Sequence, residues 1–145
     1  MKVRTVYLTK RIDTEVTLQM SKALSPYELT PLQFAVLSFA DTDSPNFSSA
    51  QLSRRFAMTP QSMNAVVHIL LEKALIYKTI DPSHKRILRL NLTESGKNIL
   101  KQCNMAINVV ERNLFGDLTD EEYHAFKLIM GKILEKARTQ VLTTA

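Results

Sequence analysis

Two helix-start signals, only eleven residues apart, constrain the fold of this chain more than any other feature of its sequence. Ser48 and Gln51 form a capping-box pattern, in which each side chain accepts a hydrogen bond from a free backbone N–H at the helix start. Thr59 and Pro60 mark a second start, because threonine is a good N-cap and proline is favoured at the first helical position. Residues 57–59 leave room only for a tight turn between the two helices. Two short helices joined in this way predict a helix-turn-helix.

The second of these helices has two faces of different chemistry. Its apolar side chains recur at the spacing of a buried face, at Met63, Val66, Val67 and Leu70. Its other face is uncharged and mostly hydrogen-bonding, and it consists of Gln61, Asn64, Ala65 and His68. Such a face can enter a major groove and meet base edges without being repelled. We therefore predict that it contacts DNA, together with Thr59 and Ser62 at the start of the same helix.

Residues 74–92 predict a β-hairpin with a basic tip. A first strand runs to residue 80 and is followed by the turn chemistry of Asp81, Pro82 and Ser83. Residues 87–92 alternate, and one face of this second strand consists of Leu88, Leu90 and Leu92. A two-stranded hairpin is marginal by itself, so this leucine face is expected to pack against a helix. The predicted contacts of this hairpin with phosphates and the minor groove come from Lys85, Arg86 and Arg89.

Both ends of the chain predict long amphipathic helices. Residues 1–25 contain no glycine or proline, and an apolar residue recurs at every fourth position, at Leu8, Ile12, Val16, Met20 and Leu24. Residues 93–137 carry two further apolar stripes, separated by a break at Gly116. These stripes exceed what a helix-turn-helix of this size can cover, so a second copy of the chain is the simplest partner.

One further helix completes the predicted order of elements. It begins at Thr30 and runs to about Ala40. A polar turn at 41–47 connects it to the helix-turn-helix. We predict a mainly α fold with a small β-hairpin, a winged helix-turn-helix with long N- and C-terminal dimerisation helices. It is expected to form a single domain over residues 1–145, with dimerisation helices at 1–28 and 98–145 and a DNA-binding lobe at 29–97.

The excess positive charge lies in one block of the chain. Residues 47–97 hold eight Lys or Arg against three Asp or Glu, which accounts for the net charge of +5, and both flanks are neutral. A localised basic block is typical of a protein that binds a polyanion. Arg54 and Arg55, on the first helix of the pair, are therefore candidates for phosphate contact, although a local ion pair explains either of them equally well.

Composition argues against several classes of protein. The chain is 45% apolar and 23% charged, its apolar runs are too short to cross a bilayer, and its basic start lacks a signal-peptide core. A single cysteine, Cys103, fits a reducing cytoplasm, and its place on an apolar stripe favours burial over redox sensing. The three histidines are scattered, so we expect no metal site and no cofactor. The absence of a nucleophile motif or a glycine-rich phosphate loop argues against an enzyme.

The chain resembles the multiple-antibiotic-resistance regulator (MarR) family. Residues 76–96, IYKTIDPSHKRILRLNLTESG, are similar to the family's wing followed by a Leu-Thr-x-x-Gly entry into the long dimerisation helix. Here these positions are Leu92, Thr93 and Gly96. Residues 29–37, LTPLQFAVL, resemble the helix that precedes the family's helix-turn-helix. The resemblance extends over nearly the whole chain.

This resemblance implies an obligate dimer of triangular outline whose two recognition helices read a pseudo-palindromic site. Family members often respond to small phenolic or other aromatic ligands, so the resemblance also implies a small aromatic effector. The candidates to line its cavity are Tyr7, Met20, Phe34 and Phe39, although packing in the core explains each of them as well.

Four positions depart from the family pattern. The wing usually reads Asp-Pro-x-Asp-x-Arg, whereas residues 81–86 read Asp-Pro-Ser-His-Lys-Arg, so His84 stands where the family has the acid that orients the arginine. Ala65 replaces a common arginine and His68 a common aspartate, which shifts the expected readout toward Gln61, Ser62 and Asn64. Ala74 stands where glycine is common, and we expect alanine to be tolerated there if the position is helical.

We therefore predict a cytoplasmic, sequence-specific regulator of transcription. It is expected to repress as a homodimer on double-stranded DNA, to be released by a small aromatic ligand, and to have no membrane partner. The alternative is a winged-helix module that binds another protein and has lost specific DNA binding. A steep fall of duplex affinity with rising salt would favour the regulator.

Overall fold

The computed structural model describes residues 2–41 and 47–144, which form six α-helices, one turn of 3₁₀ helix and one β-hairpin. In chain order the elements are α1 (Thr5–Leu24), the 3₁₀ turn (Ser25–Tyr27), α2 (Pro31–Ala40), α3 (Ser49–Arg55), α4 (Pro60–Glu72), β1 (Ile76–Ile80), β2 (Leu88–Leu92), α5 (Glu94–Phe115) and α6 (Asp120–Thr144). This order confirms the predicted mainly α fold with a small hairpin. The polar turn predicted at 41–47 falls largely on residues 42–46, which lie outside the described residues.

The helix starts follow the capping chemistry of the sequence. The Thr30 hydroxyl accepts a hydrogen bond from the N–H of Gln33, whose side chain accepts from the N–H of Thr30, and α2 begins there. Ser48 and Gln51 form the same reciprocal pair at the start of α3. Because each pair satisfies backbone groups that a helix start leaves free, these starts are determined locally.

The chain divides into two compact units, one ending at Val110 and the other beginning at Glu111, and the division falls within α5. The core of the first unit joins the end of α1 to α2, α3, α4 and α5, and its most buried members are Leu24, Val36, Leu37, Leu52, Met63, Val67, Leu70 and Cys103. Burial raises the pKa of the Cys103 thiol, which disfavours the reactive thiolate. Whether residues 1–145 act as a single domain stays a prediction.

The hairpin packs at its base and projects at its tip. β1 and β2 pair antiparallel, with Ile76 opposite Leu92 and Ile80 opposite Leu88. Leu90 and Leu92 are buried as predicted, but Leu88 is 42% exposed, so the prediction of a leucine face packed along its whole length is wrong. The reason is that the outer end of the hairpin extends past the helices, which also leaves Ile80 in solvent.

The start of α5 is hydrogen-bonded to the junction between α4 and β1. Thr93 donates its hydroxyl to the carbonyl of Ala74 and accepts from the N–H of Gly96, while its own N–H donates to the carbonyl of Leu75. A Cβ on Gly96 would overlap that Leu75 carbonyl oxygen, so glycine is required for this approach. Ala74 has a φ of 55°, in the left-handed region. Alanine was expected to be tolerated here if the position is helical, and that condition is not met.

Each unit exposes apolar side chains on its long helix. On α1 the exposed members are Val6, Tyr7, Leu8, Ile12 and Leu18, and on α6 they are Leu128, Ile129, Met130, Ile133 and Leu134. Within the second unit, the Phe115 ring packs against Tyr123 and Phe126, with centroids 5.9 and 5.7 Å apart. Within residues 2–41 and 47–144, every helix is too short or too polar to span a bilayer.

Candidate nucleic-acid interface

The two helices of the helix-turn-helix are joined by a buried contact and a tight turn. Leu52 of α3 and Met63 of α4 are both buried in the core. In the turn, Ala57 adopts a left-handed φ of 51°, and the N–H of Met58 donates to the carbonyl of Ser53 over 2.9 Å. These bonds close the end of α3, so α4 presents its outer side from a rigid support.

The outer face of α4 carries the side chains that the sequence places there. Gln61, Asn64, Ala65 and His68 are exposed, whereas the buried positions of the helix are Met63, Val67 and Leu70. At the helix start, the Thr59 hydroxyl accepts from the N–H of Ser62 over 3.1 Å and donates to the Ser62 hydroxyl over 2.9 Å. The predicted separation of faces is confirmed, and contact of this outer face with DNA stays a prediction.

Two members of this face have protein partners. The Ser49 hydroxyl, at the start of α3, donates to Oδ1 of Asn64 over 2.5 Å. The Nε2 atom of His68 lies 3.1 Å from a carboxylate oxygen of Glu72, one turn further along α4. The side chains of His68 and Glu72 are both largely exposed, so this pair is strongly screened by solvent.

The two arginines of α3 differ in their surroundings. Both lie in the last turn of the helix and both are exposed. The Arg55 guanidinium lies over the ring of Phe39, 4.7 Å from its centroid, and that ring makes edge contacts with Phe47 and Phe56 at 5.3 Å each. Arg55 is therefore anchored to the aromatic cluster under the helix-turn-helix, whereas Arg54 is the freer candidate for a phosphate contact.

A buried carboxylate organises the hairpin loop. One oxygen of Asp81 accepts from the backbone N–H and the hydroxyl of Ser83, and the other accepts from the Nε and Nη2 atoms of Arg89 at 3.0 Å each. The Ser83 hydrogen bonds, followed by Arg89, lower the pKa of Asp81 to about 2, against the opposing effect of burial. Lys85 and Arg86 follow this loop and are exposed. Arg89 pairs with Asp81, and its predicted contact with DNA stays a prediction.

The base of the hairpin is joined to the start of α3 by a contact that the sequence did not predict. The N–H of Leu90 donates to the carbonyl of Phe47 over 3.1 Å, and Ser48 forms a β-bridge with Arg89. A single β-bridge thus links the start of α3 to the hairpin. The available signal was Phe47 itself, because an apolar residue directly before an N-cap often packs back on its helix.

Comparison with known proteins places this architecture in a family. The sequence profile of the MarR family matches residues 27–87, from the 3₁₀ turn to the end of the hairpin loop. The HTH-type transcriptional repressor Rv2887 of Mycobacterium tuberculosis is 30% identical over 127 residues, which cover 88% of this chain and 91% of that protein. The chain belongs to the MarR family.

Solved structures of MarR proteins share the fold. The complex of Mycobacterium tuberculosis Rv2887 with salicylic acid has a TM-score of 0.71 at 29% identity and covers 91% of this chain and 97% of that one. The MepR–DNA complex from S. aureus has a TM-score of 0.81 at 20% identity, covering 93% of this chain and 99% of that one, and its likeness concerns the fold alone. As a MarR member, this protein is a helix-turn-helix regulator of transcription.

The four candidates for an effector cavity in this MarR protein do not share one environment. Tyr7 is exposed on α1 and Met20 is half-buried. Phe34 and Phe39 pack against the core. A separate cavity of about 350 Å³ lies at the end of α1, and its lining consists of Ser21, Ser25, Glu28, Leu29, Thr30, Pro31, Gln33 and Lys73. None of the four candidates lines this cavity, so their role in ligand binding stays a prediction.

Proposed function

We propose that this MarR protein is a sequence-specific repressor that binds duplex DNA as a homodimer on a pseudo-palindromic site. The observation that carries the proposal is the exposed, uncharged face of α4 beside a hairpin whose rigid loop presents two exposed cations. A helix of this kind fits a major groove, and a basic wing fits the adjacent backbone and minor groove. Two relatives add support, since Rv2887 is named a repressor and MepR has been solved with DNA.

The proposed DNA contacts fall into two groups, one suited to bases and one suited to phosphates. Gln61, Asn64 and Ala65 face outward on α4, where short side chains meet base edges, and His68 extends this face by one turn. Lys85 and Arg86 on the wing and Arg54 on α3 carry positive charge suited to phosphates. Phosphate contacts fix position and base contacts specify sequence, so these two groups are expected to respond differently to substitution.

The homodimer is supported by the apolar faces of the long helices. In the isolated chain, Ile12 on α1 and Ile129 and Ile133 on α6 are about half exposed or more. An apolar stripe of this length in water is unfavourable by about 25 cal/mol for each Å² that a partner would bury. A second copy supplies a matching surface through two-fold symmetry and also provides the second recognition helix.

A small aromatic acid is the effector class that we propose. The support is the Rv2887 complex with salicylic acid, a relative 29% identical to this chain. The expected effect is weaker DNA binding in the presence of the ligand, because a ligand that prefers the unbound dimer shifts the population away from DNA. Tyr7, Met20, Phe34 and Phe39 remain the residues to substitute first.

We further infer that the protein has no catalytic role and works in the cytoplasm. Both inferences rest on the family, whose relatives are named as regulators of transcription and therefore act where the chromosome lies. The competing function is a winged-helix module that binds another protein. The wing decides between the two, because a protein-binding module has no need of its cations.

The wing is tested by replacing Arg86 with alanine. A duplex selected from a random pool by the wild-type protein is titrated by fluorescence anisotropy over a salt series. We expect Arg86→Ala to weaken binding by about 1–3 kcal/mol and to lower the salt slope by roughly one unit per phosphate contact removed. His84→Asp, which restores the usual acid of the family, is expected to change affinity less.

The matched control is Arg11→Ala, which removes the same charge from the neutral N-terminal region. Arg11 pairs with Glu15 on α1. Arg11→Ala is expected to leave both the DNA affinity and the salt slope near the wild-type values. Equal curves for Arg86→Ala and the wild type would contradict a DNA-binding wing and favour the protein-binding module. Failure of the wild type to select any duplex would contradict the proposed function as a whole.

A further inference from the structure

On the outer face of α4, the orientation of the Asn64 side chain is determined by a residue of α3. Its Oδ1 accepts the Ser49 hydroxyl, and Ser49 is the first residue of α3, fifteen positions earlier in the chain. The separation of 2.5 Å lies at the short end of the range for O–H···O bonds and below the range for N–H···O bonds. The carbonyl end of the amide is therefore the end turned toward Ser49.

An amide held in this way has a defined hydrogen-bonding polarity. Asparagine reads adenine in a major groove with both ends, by accepting from the N6 amine and donating to N7. With one lone pair of Oδ1 engaged by Ser49, the Nδ2 group with its two N–H donors is the end turned away from Ser49. Guanine presents only acceptors there, through O6 and N7, and thymine presents O4, whereas adenine sets its N6 donor beside the N7 acceptor and cytosine presents a donor.

We propose that Ser49 is a positioning residue that turns the Nδ2 donors of Asn64 toward the DNA, so that the base read by Asn64 is selected for a major-groove acceptor. This inference rests on the proposed DNA-binding function and adds the chemistry of one position of the site. Ser49 itself acts through Asn64 and need not touch DNA. The adjacent Ser48 caps α3 and bridges to the hairpin, so the two serines have separate tasks.

The test begins by locating the base pair that depends on Asn64. The wild-type protein selects a preferred duplex, and all four base pairs are then compared at each position for the wild type and for Asn64→Ala. The position at which Asn64→Ala loses its preference is the one read by Asn64. We expect the wild type to prefer guanine or thymine there. If adenine is preferred, and binding weakens when its 6-amino group is removed, Oδ1 is in use and the proposal is wrong.

Ser49 variants then test the positioning role at that base pair. Ser49→Ala is expected to reduce discrimination between acceptor-bearing and donor-bearing bases by roughly three- to tenfold, as for one lost hydrogen bond. Ser49→Thr keeps a hydroxyl and is expected to retain discrimination. In an Asn64→Ala background, Ser49→Ala is expected to have no further effect at this position.

The control for a merely structural effect is Ser48→Ala. It removes the cap of the same helix, so it is expected to lower the Tm while leaving the preference at the Asn64-dependent position intact. If Ser49→Ala behaves like Ser48→Ala, or leaves the preference unchanged while the wild type still selects its duplex, Ser49 has no positioning role. If the wild type selects no duplex, the proposed function falls and this inference falls with it.

Discussion

Ala74 is under backbone strain at the end of the recognition helix. The N–H of Leu75 donates to the carbonyl of Leu70 and that of Ala74 to the carbonyl of Leu71, which is the Schellman pattern for ending a helix. The pattern requires a left-handed residue, and Ala74 supplies it at a φ of 55°. For an L-residue other than glycine this conformation costs roughly 1–2 kcal/mol.

Ala74→Gly is expected to stabilise the protein. The relief of strain exceeds the extra entropy that glycine gives to the unfolded chain, so a gain of about 0.5–1 kcal/mol is expected, or roughly 2 °C in Tm. The control is Ala65→Gly in the middle of the same helix, which is expected to destabilise by about 1 kcal/mol. Thermal unfolding followed by circular dichroism measures both. A loss of stability for both variants would show that position 74 is not strained.

The same ending recurs at two other helices. Ala57 closes α3 and Glu28 closes the 3₁₀ turn after α1, with φ values of 51° and 55°. Among the described residues none of the left-handed positions holds glycine, although glycine is the usual residue there. These helix ends therefore carried no glycine signal in the sequence, whereas the helix starts at Thr30 and Ser48 carried clear capping signals.

At the scale of the elements, the wing depends on one ionised carboxylate. The pKa of Asp81 is about 2 in the folded protein, against an ordinary value of 3.8, because Ser83 and Arg89 stabilise the charged form. A lowered pKa means that this carboxylate stabilises the fold above pH 3.8 and loses that contribution as the pH falls through about 2. At neutral pH the contribution is fully present.

Asp81→Asn is therefore expected to lower the Tm at neutral pH and to reduce its dependence on pH in the acid range. Asparagine still accepts from Ser83 but cannot pair with the Arg89 charge. The measurement is the Tm of the wild type and the variant between pH 2 and 6, and the difference between them should shrink toward pH 2. Asp13→Asn on α1 controls for the loss of one carboxylate. A difference that stays constant over the range would mean that Asp81 is not the titrating group.

How far the sequence predicts these elements depends on the range of the interactions that form them. Capping and the two faces of α4 depend on residues within one or two turns, and both were predicted. The pairing of Phe47 with Leu90 joins residues more than forty positions apart and leaves no periodic pattern. The ion pair between Asp81 and Arg89 was not predicted either. The family pattern points to Arg86, whereas the register of the hairpin places Arg89 next to Asp81.

At the scale of the whole molecule, the exposed apolar faces predict how copies of the chain associate. Replacing Ile129 and Ile133 together with glutamate places two charges on the apolar face of α6. We expect this variant to be monomeric at micromolar concentration in sedimentation equilibrium, whereas the wild type is dimeric, because a buried unpaired charge is costly. Helical content by circular dichroism should remain high.

Lys132→Glu, on the same helix, is the control and is expected to remain dimeric. Removal of residues 1–24 is a poorer test, because Leu24 belongs to the buried core and its loss destabilises the lobe itself. A dimer that survives both isoleucine substitutions would place the interface elsewhere. A monomeric wild type would contradict the homodimer directly.

The β-bridge between the wing and α3 fixes the distance from the wing to the recognition helix in each protomer. Asp81 holds Arg89, Arg89 bridges to Ser48, and Ser48 caps the helix that packs under α4. The spacing between wing and recognition helix is thus set by the protein, and we expect a duplex whose groove does not already match that spacing to bend or narrow on binding. The cost of that deformation depends on the flexibility of base steps that no side chain touches. Part of the sequence preference of this regulator is therefore expected to reside in the stiffness of DNA.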